Sequence, residues 1–144
     1  RLQEDDDGHP AENMENTVRM KNYLVAQRPD MVFLPHGNDT NPGHQRVHGM
    51  FRKLAPEMGY PVAAFYNHDP KTVAMRYDLF TAFDEEDARW KARLLRCHAS
   101  QHCRNLKTRN YGIDDRILQV DQSVAAEYVK THAYAEAFEL EFWG

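Results

Sequence analysis

The chain has 144 residues, 42% of them hydrophobic and 28% charged, with a formal net charge of −4. That length suits one domain, able to bury roughly 68–70% of its unfolded surface. A mean hydropathy of −0.78 and the lack of any apolar run near ~18 residues argue against a membrane span. The charge is uneven: residues 1–16 carry Glu4, Asp5, Asp6, Asp7, Glu12 and Glu15 against Arg1, a local −5 that leaves the rest of the chain at +1. So neutral a remainder offers no electrostatic footprint for nucleic acid. Two cysteines, Cys97 and Cys103, are too few for a disulfide-built fold and fit a reducing cytoplasm. No secretory leader is visible, and a chain that opens on Arg inside an acidic run is expected to lack its true N-terminus.

Residues 1–12 read as a solvated, mobile lead-in. Asn13 or Asn16 then caps a helix whose partial apolar face is Met14, Val18, Tyr23, Leu24 and Val25. Pro29 ends it. Met31 to Leu34 is apolar throughout, as expected of a buried, parallel-type strand. A polar loop from Pro35 to Gly43 follows, and then a helix from about His44 to Leu54. Pro61–Tyr66 and Tyr77–Phe83 read as further strands. Asp84 to Asp87 opens a long helical pattern that the spacing carries to about Arg104, the four acids favouring the positive end of the helix dipole. Asn110-Tyr111-Gly112 is a turn, Asp114–Val129 another helix, and the alternating tail Tyr134–Trp143 a last strand. Strands alternating with helices predict an α/β fold with a mostly parallel sheet flanked by helices.

In open α/β sheets, ligands bind beyond the carboxyl ends of the strands. The segment Pro35-His36-Gly37-Asn38-Asp39-Thr40-Asn41-Pro42-Gly43-His44 stands in that place. It gathers imidazoles, a carboxylate and amides directly after an apolar strand, an inventory a bland turn does not need. His36 and Asp39 are candidates to touch substrate or to support His44 from behind, since a ligating imidazole commonly donates its other N–H to a carboxylate. Asn38 joins them as a substrate-side candidate. His48, one turn after His44, shares its helix face but lacks the adjacent Glu of the familiar two-histidine protease motif. Cys97, His98, His102 and Cys103 look like a metal cluster, yet on one continuous helix their directions do not converge on a single ion.

Met31 to Phe51, MVFLPHGNDTNPGHQRVHGMF, resembles the segment after a central strand in the PIG-L/LmbE family of metal-dependent N-deacetylases. KARLLRCHASQHCRN (Lys91–Asn105) is similar to that family's helix with a His-x-Ser-Gln segment, and AYAEAFE (Ala133–Glu139) to its last strand. The resemblance implies a Rossmann-like fold and a divalent metal, usually zinc, held by two His and one Asp. One His and the Asp come from a His-Pro-Asp-Asp motif, which these 144 residues lack. The third ligand ends a His-Pro-Asp-His segment that matches Asn41-Pro42-Gly43-His44, which makes His44 the metal ligand. Asn41 stands where the family has an imidazole at the oxyanion, keeping a hydrogen-bond donor but no transferable proton. His98 and Gln101 are implied to brace the site wall.

Residues 1–144 then read as the C-terminal part of one deacetylase domain whose first βα units precede it. With one imidazole of three ligands, the chain alone is expected to bind zinc poorly and to be inactive. The implied reaction removes an acetyl group from an N-acetylated amino-sugar conjugate, with no nucleic-acid partner and with self-association left open. Two rivals remain: a non-catalytic sugar-binding or assembly module on the same fold, and a chain complete in itself with a structural metal at the Cys/His helix.

Overall fold

The computed structural model describes residues 2–144. The chain forms two compact units, one from the chain up to Asp78 together with Phe138–Gly144, the other from Leu79–Ala137. The fold is α/β with a mixed four-stranded sheet in the order β1-β2-β4-β3, where β1 is Met31–Pro35, β2 Val62–Asn67, β3 Leu79–Phe83 and β4 Tyr134–Trp143. β4 belongs by its first residues to the second unit and by its last to the first.

In the first unit, α1 (Met14–Gln27) starts at Asn13, whose side chain accepts the Asn16 N–H, and ends on Arg28 in the left-handed conformation. β1 pairs parallel with β2, Met31 opposite Ala63, and the crossover between them is α2 (Pro42–Leu54) followed by a short 3-10 turn. Leu24, Phe51, Met58, Tyr60, Val62 and Tyr66 form the core on this side of the sheet, with Val32, Leu34 and Trp143 packed against it. Full burial of a side chain such as Phe51 or Met50 is worth about 1.5–3 kcal/mol. Asp30 C=O accepts the Ala63 N–H, so Val32 and Leu34 also turn their backbone groups to β2. By the same alternation Pro35 points its missing donor away from the pairing.

The other face of this part of the sheet is open at β1 and at the end of β4, and covered at Phe138, which is buried and meets Phe33 and Phe65 edge-on. Met31 (57% exposed), Phe33 (63%) and Phe142 (75%) lie in solvent, with Phe33 stacked on Phe65 at 4.9 Å. The buried strand expected at Met31–Leu34 is instead partly buried, and on one face only, as suits an edge strand. The expected mostly parallel sheet is also corrected. β4 runs antiparallel to β2, Val62 opposite Trp143 and Asn67 opposite Phe138. Its alternating sequence is that of an antiparallel strand with one wetter side.

The lead-in is not a loose tail. Gln3 and Ala11 tie to the buried Asn16 through its amide, whose Nδ2 donates to both backbone carbonyls. Asp5 and Asp7 pair with Arg46, and Glu12 with Lys53, so the acidic run is drawn along α2 by the basic side of that helix. Arg46 holds the Asp7 carboxyl below its ordinary range.

In the second unit the single long helix predicted from Asp84 is two, α3 (Glu85–Arg96) and α4 (Ala99–Arg109). His98, at φ −77° and ψ 63°, breaks the run. After the break, both Arg96 at the end of α3 and His102 in α4 reach Asp114 on α5 (Ile113–Val124), at 2.6 and 3.3 Å. α5 continues as one π turn, Ala125–Val129. The core here is built of small residues, Ala88, Ala92, Val124, Ala125, Ala135 and Ala137. Beside it Lys91 Nζ lies 2.6 Å from Asp121 and 2.5 Å from Glu136.

Burial pushes the Asp121 carboxyl up to about 6, even though Lys91 pulls it down. Between its unfolded value near 3.8 and about 6 the folded state holds more of this proton than the unfolded state, so stability falls as pH rises through that window. Replacing Asp121 with Asn is expected to remove this component. Urea unfolding at a series of pH values should show wild type losing stability relative to Asp121→Asn between pH 4 and pH 6.

Candidate metal centre

The loops that leave the carboxyl ends of β1 and β2 meet. Asp39 forms an antiparallel bridge with Thr72, Thr40 N–H donates to Lys71 C=O at 3.0 Å, and Val73 N–H donates to Asn38 C=O at 2.9 Å. Asn38 adds a side-chain bond to Ala74 C=O. Each loop folds an aspartate back on itself: Asp39 Oδ1 accepts the Asn41 N–H, and Asp69 Oδ1 accepts the Lys71 N–H, both at 2.6 Å. These Asx turns fix one oxygen of each carboxylate by backbone. The other oxygens point at one imidazole. His44 Nδ1 lies 2.9 Å from Asp39 Oδ2 and 3.4 Å from Asp69 Oδ2.

His44 is placed there by the start of α2. Asn41 is the N-cap, its Oδ1 accepting the Gly43 N–H at 2.9 Å, and Pro42 follows at the first helical position, where its missing donor costs nothing. Gln45 Nε2 donates to Asp39 C=O and closes the turn. Between two carboxylates, Nδ1 donates its hydrogen to Asp39, and a cation held there would take the place of that hydrogen. The Asp39 side chain is fully buried, and among the described residues its ion-pair partner is His44. A buried carboxylate facing a second carboxylate across one imidazole is short of positive charge. Donor atoms of Asp39, His44 and Asp69 all lie within 4.8 Å of one another, a nitrogen-and-oxygen set suited to a divalent cation such as zinc.

No protein-family model, curated protein or solved structure matches this chain. The site's chemistry thus rests on its own geometry.

His44 and Asp39 stand together, Asp39 meeting the same Nδ1 that faces Asp69. Asn41 adjoins them, but its Oδ1 is engaged as a helix cap. His36 is engaged on both ring nitrogens: Nδ1 accepts the Asn38 N–H at 3.0 Å, which leaves the hydrogen on Nε2 facing Glu139 at 3.2 Å. These bonds tie His36 into the loop, with Asn38 as one of its partners. His48 packs on Tyr66, with ring centroids 4.6 Å apart. Burial, helped by the charges of His36 and Arg52, lowers the His48 pKa, so it sits neutral. Burial and the neighbouring Glu141 raise that of Tyr66.

His98 and Gln101 belong to the second unit. His98 lines a cavity of about 500 Å³ with Phe83, Trp90 and Lys91, and the Gln101 backbone carbonyl accepts from Asn105. Cys97 and Cys103 are exposed free thiols, and among the described residues they form no metal cluster with the neighbouring histidines.

Asp69 is the residue missed in the sequence. The signal was present: Asn67-His68-Asp69-Pro70 stands at the carboxyl end of a second strand, the position that singled out the first loop. His68 beside it bonds the Tyr77 hydroxyl through Nδ1 at 3.2 Å, and burial lowers its pKa against the opposing pull of Asp69.

Gly37 lets the loop close, because a Cβ there would overlap the His48 ring. Gly37→Ala is expected to destabilise the protein by about 1–3 kcal/mol through overpacking. A lowered urea midpoint with an unchanged slope would show it.

Proposed function

We propose that the first unit binds a divalent cation at Asp39, His44 and Asp69 and hydrolyses an N-acyl amine, with zinc as the metal and an N-acetylated amino-sugar conjugate as the substrate. One observation carries this reading: two aspartates, each locked by a backbone N–H, aim their free oxygens at a single imidazole beyond the ends of two parallel strands. A cation held there supplies Lewis acidity, which polarises an amide carbonyl and makes water acidic enough to attack near neutral pH. The choice of an acetamide follows the resemblance of the Met31–Phe51 segment to the PIG-L/LmbE deacetylases. A Rossmann-like sheet suits the β1–α2–β2 unit, whose helix N-terminus presents His44. The exposed free thiols suit a reducing, cytoplasmic setting.

On sequence alone the chain holds one ligand and is expected to bind zinc weakly. Asp39 and Asp69 change that expectation. Calorimetric titration should give one zinc per chain, lost in His44→Ala and weakened roughly 10–100-fold in Asp69→Asn. Acetate release from N-acetylglucosamine conjugates should stop on adding a chelator. Zinc binding that survives His44→Ala, or activity indifferent to chelator, would refute the proposal.

Asn41 has two ends with different duties. Its Oδ1 caps α2, and its Nδ2 is left to donate to the developing oxyanion. Asn41→Asp keeps the cap and removes the donor. A fall in kcat of roughly 10²–10³-fold with an undiminished melting temperature is expected, the scale of one lost oxyanion donor. The capping bond also favours a second reading, a sugar-binding or assembly module in which Asn41 is structural. That reading predicts zinc and sugar binding without acetate release.

A further inference from the structure

Amide hydrolysis has to deliver a proton to the departing nitrogen, and the imidazoles of the first unit differ in their freedom to carry one. Both ring nitrogens of His36 are engaged, and His44 Nδ1 is held by the aspartates. His48 is packed against Tyr66, and His68 bonds Tyr77. His9, like His48, makes no ring hydrogen bond among the described residues, but its ring lies against Gly43 at the start of α2 and not on Tyr66. A Cβ on Gly43 would stand 2.9 Å from His9 Nδ1 and 3.3 Å from Asn41 Oδ1. The ring therefore fills the place of a side chain at the residue directly before His44.

The lead-in is built to hold it there. Asp5 N–H donates to His9 C=O and Gly8 N–H to Asp5 C=O, both at 2.8 Å, and His9 N–H donates to Asp7 Oδ1 at 3.0 Å. Arg46, three residues beyond Gly43 and so on the same side of α2, holds Asp7 at 2.7 Å and Asp5 at 3.2 Å. Gly43 leaves the room, and the Arg46 clasp brings the imidazole into it.

We propose that His9 is the proton-transfer group of this site. The assignment rests on the hydrolytic reading above. Water oxygen adds to the amide carbonyl carbon while one of its hydrogens passes as a proton to His9. The C–N bond of the tetrahedral adduct then breaks with its electron pair on nitrogen, and nitrogen takes that proton from His9. A carboxylic acid and an amine leave, and His9 is neutral again.

The test compares zinc-loaded wild type with His9→Ala on an N-acetylglucosamine conjugate. Loss of roughly 100-fold in kcat is expected, the lower range for a general acid–base, with zinc affinity and melting temperature unchanged and partial recovery on adding imidazole. Activity at the wild-type level, or a loss that imidazole does not relieve, overturns the assignment. If zinc-loaded wild type releases no acetate, the hydrolytic reading fails, and His9 is then judged by histidine ring resonances on adding acetohydroxamate to that protein. A shift at His9 supports its place at the site; an unmoved His9 removes it.

Discussion

Two loops stitched edge to edge are the constraint on which the site depends. The bridge between Asp39 and Thr72, with its flanking bonds from Thr40 and Val73, makes the ends of β1 and β2 one rigid piece. Without it, two carboxylates held near one imidazole would drift apart, since like charges repel and each oxygen gains by returning to water. With it, the backbone holds one oxygen of each aspartate and the other oxygen of each lies near His44. The helix start does the same for the imidazole. Pro42 presets the first turn and Asn41 caps it, so the His44 position follows from local chemistry.

Most elements were legible because their signals are local. Pro29 stops α1, the apolar run from Met31 makes β1, and Tyr134–Trp143 alternates as an antiparallel strand does. What was not legible depended on distant partners. The break at His98 has no Pro or Gly to announce it; it is where Arg96 and His102 come to share the buried Asp114. The acidic lead-in reads as solvated until Arg46 and Lys53, more than thirty positions on, are seen to meet it. At the site, the Pro35–His44 segment was visible from composition and place. Asp69 holds the same place after β2, but a lone aspartate there meets its partners only once pairing brings the two loops together.

The two units treat buried charge differently. In the second, each buried carboxylate has a base against it: Asp121 meets Lys91, and Asp114 meets Arg96. Each such pair sets a base against the buried charge, although at Asp121 burial outweighs the pull of Lys91. In the first, buried Asp39 and half-buried Asp69 share one imidazole that is already hydrogen-bonded. That difference in charge balance is what supports reading the group in the first unit, and not those in the second, as a proposed cation site. His36, despite its place in the same loop, is on the structural side of that line, since Asn38 and Glu139 satisfy both of its nitrogens.

The open phenyl-rich side of the sheet has a practical consequence at the bench. Phe33, Phe65 and Phe142 form an oily shelf on an otherwise intact native fold. A dye such as ANS, which lights up on apolar surfaces and is commonly taken to report loosened packing, would glow here in the fully folded protein. Dye-based melting curves would then start from a high baseline and could fall on heating, and calorimetry or near-UV dichroism gives the sounder measure of unfolding.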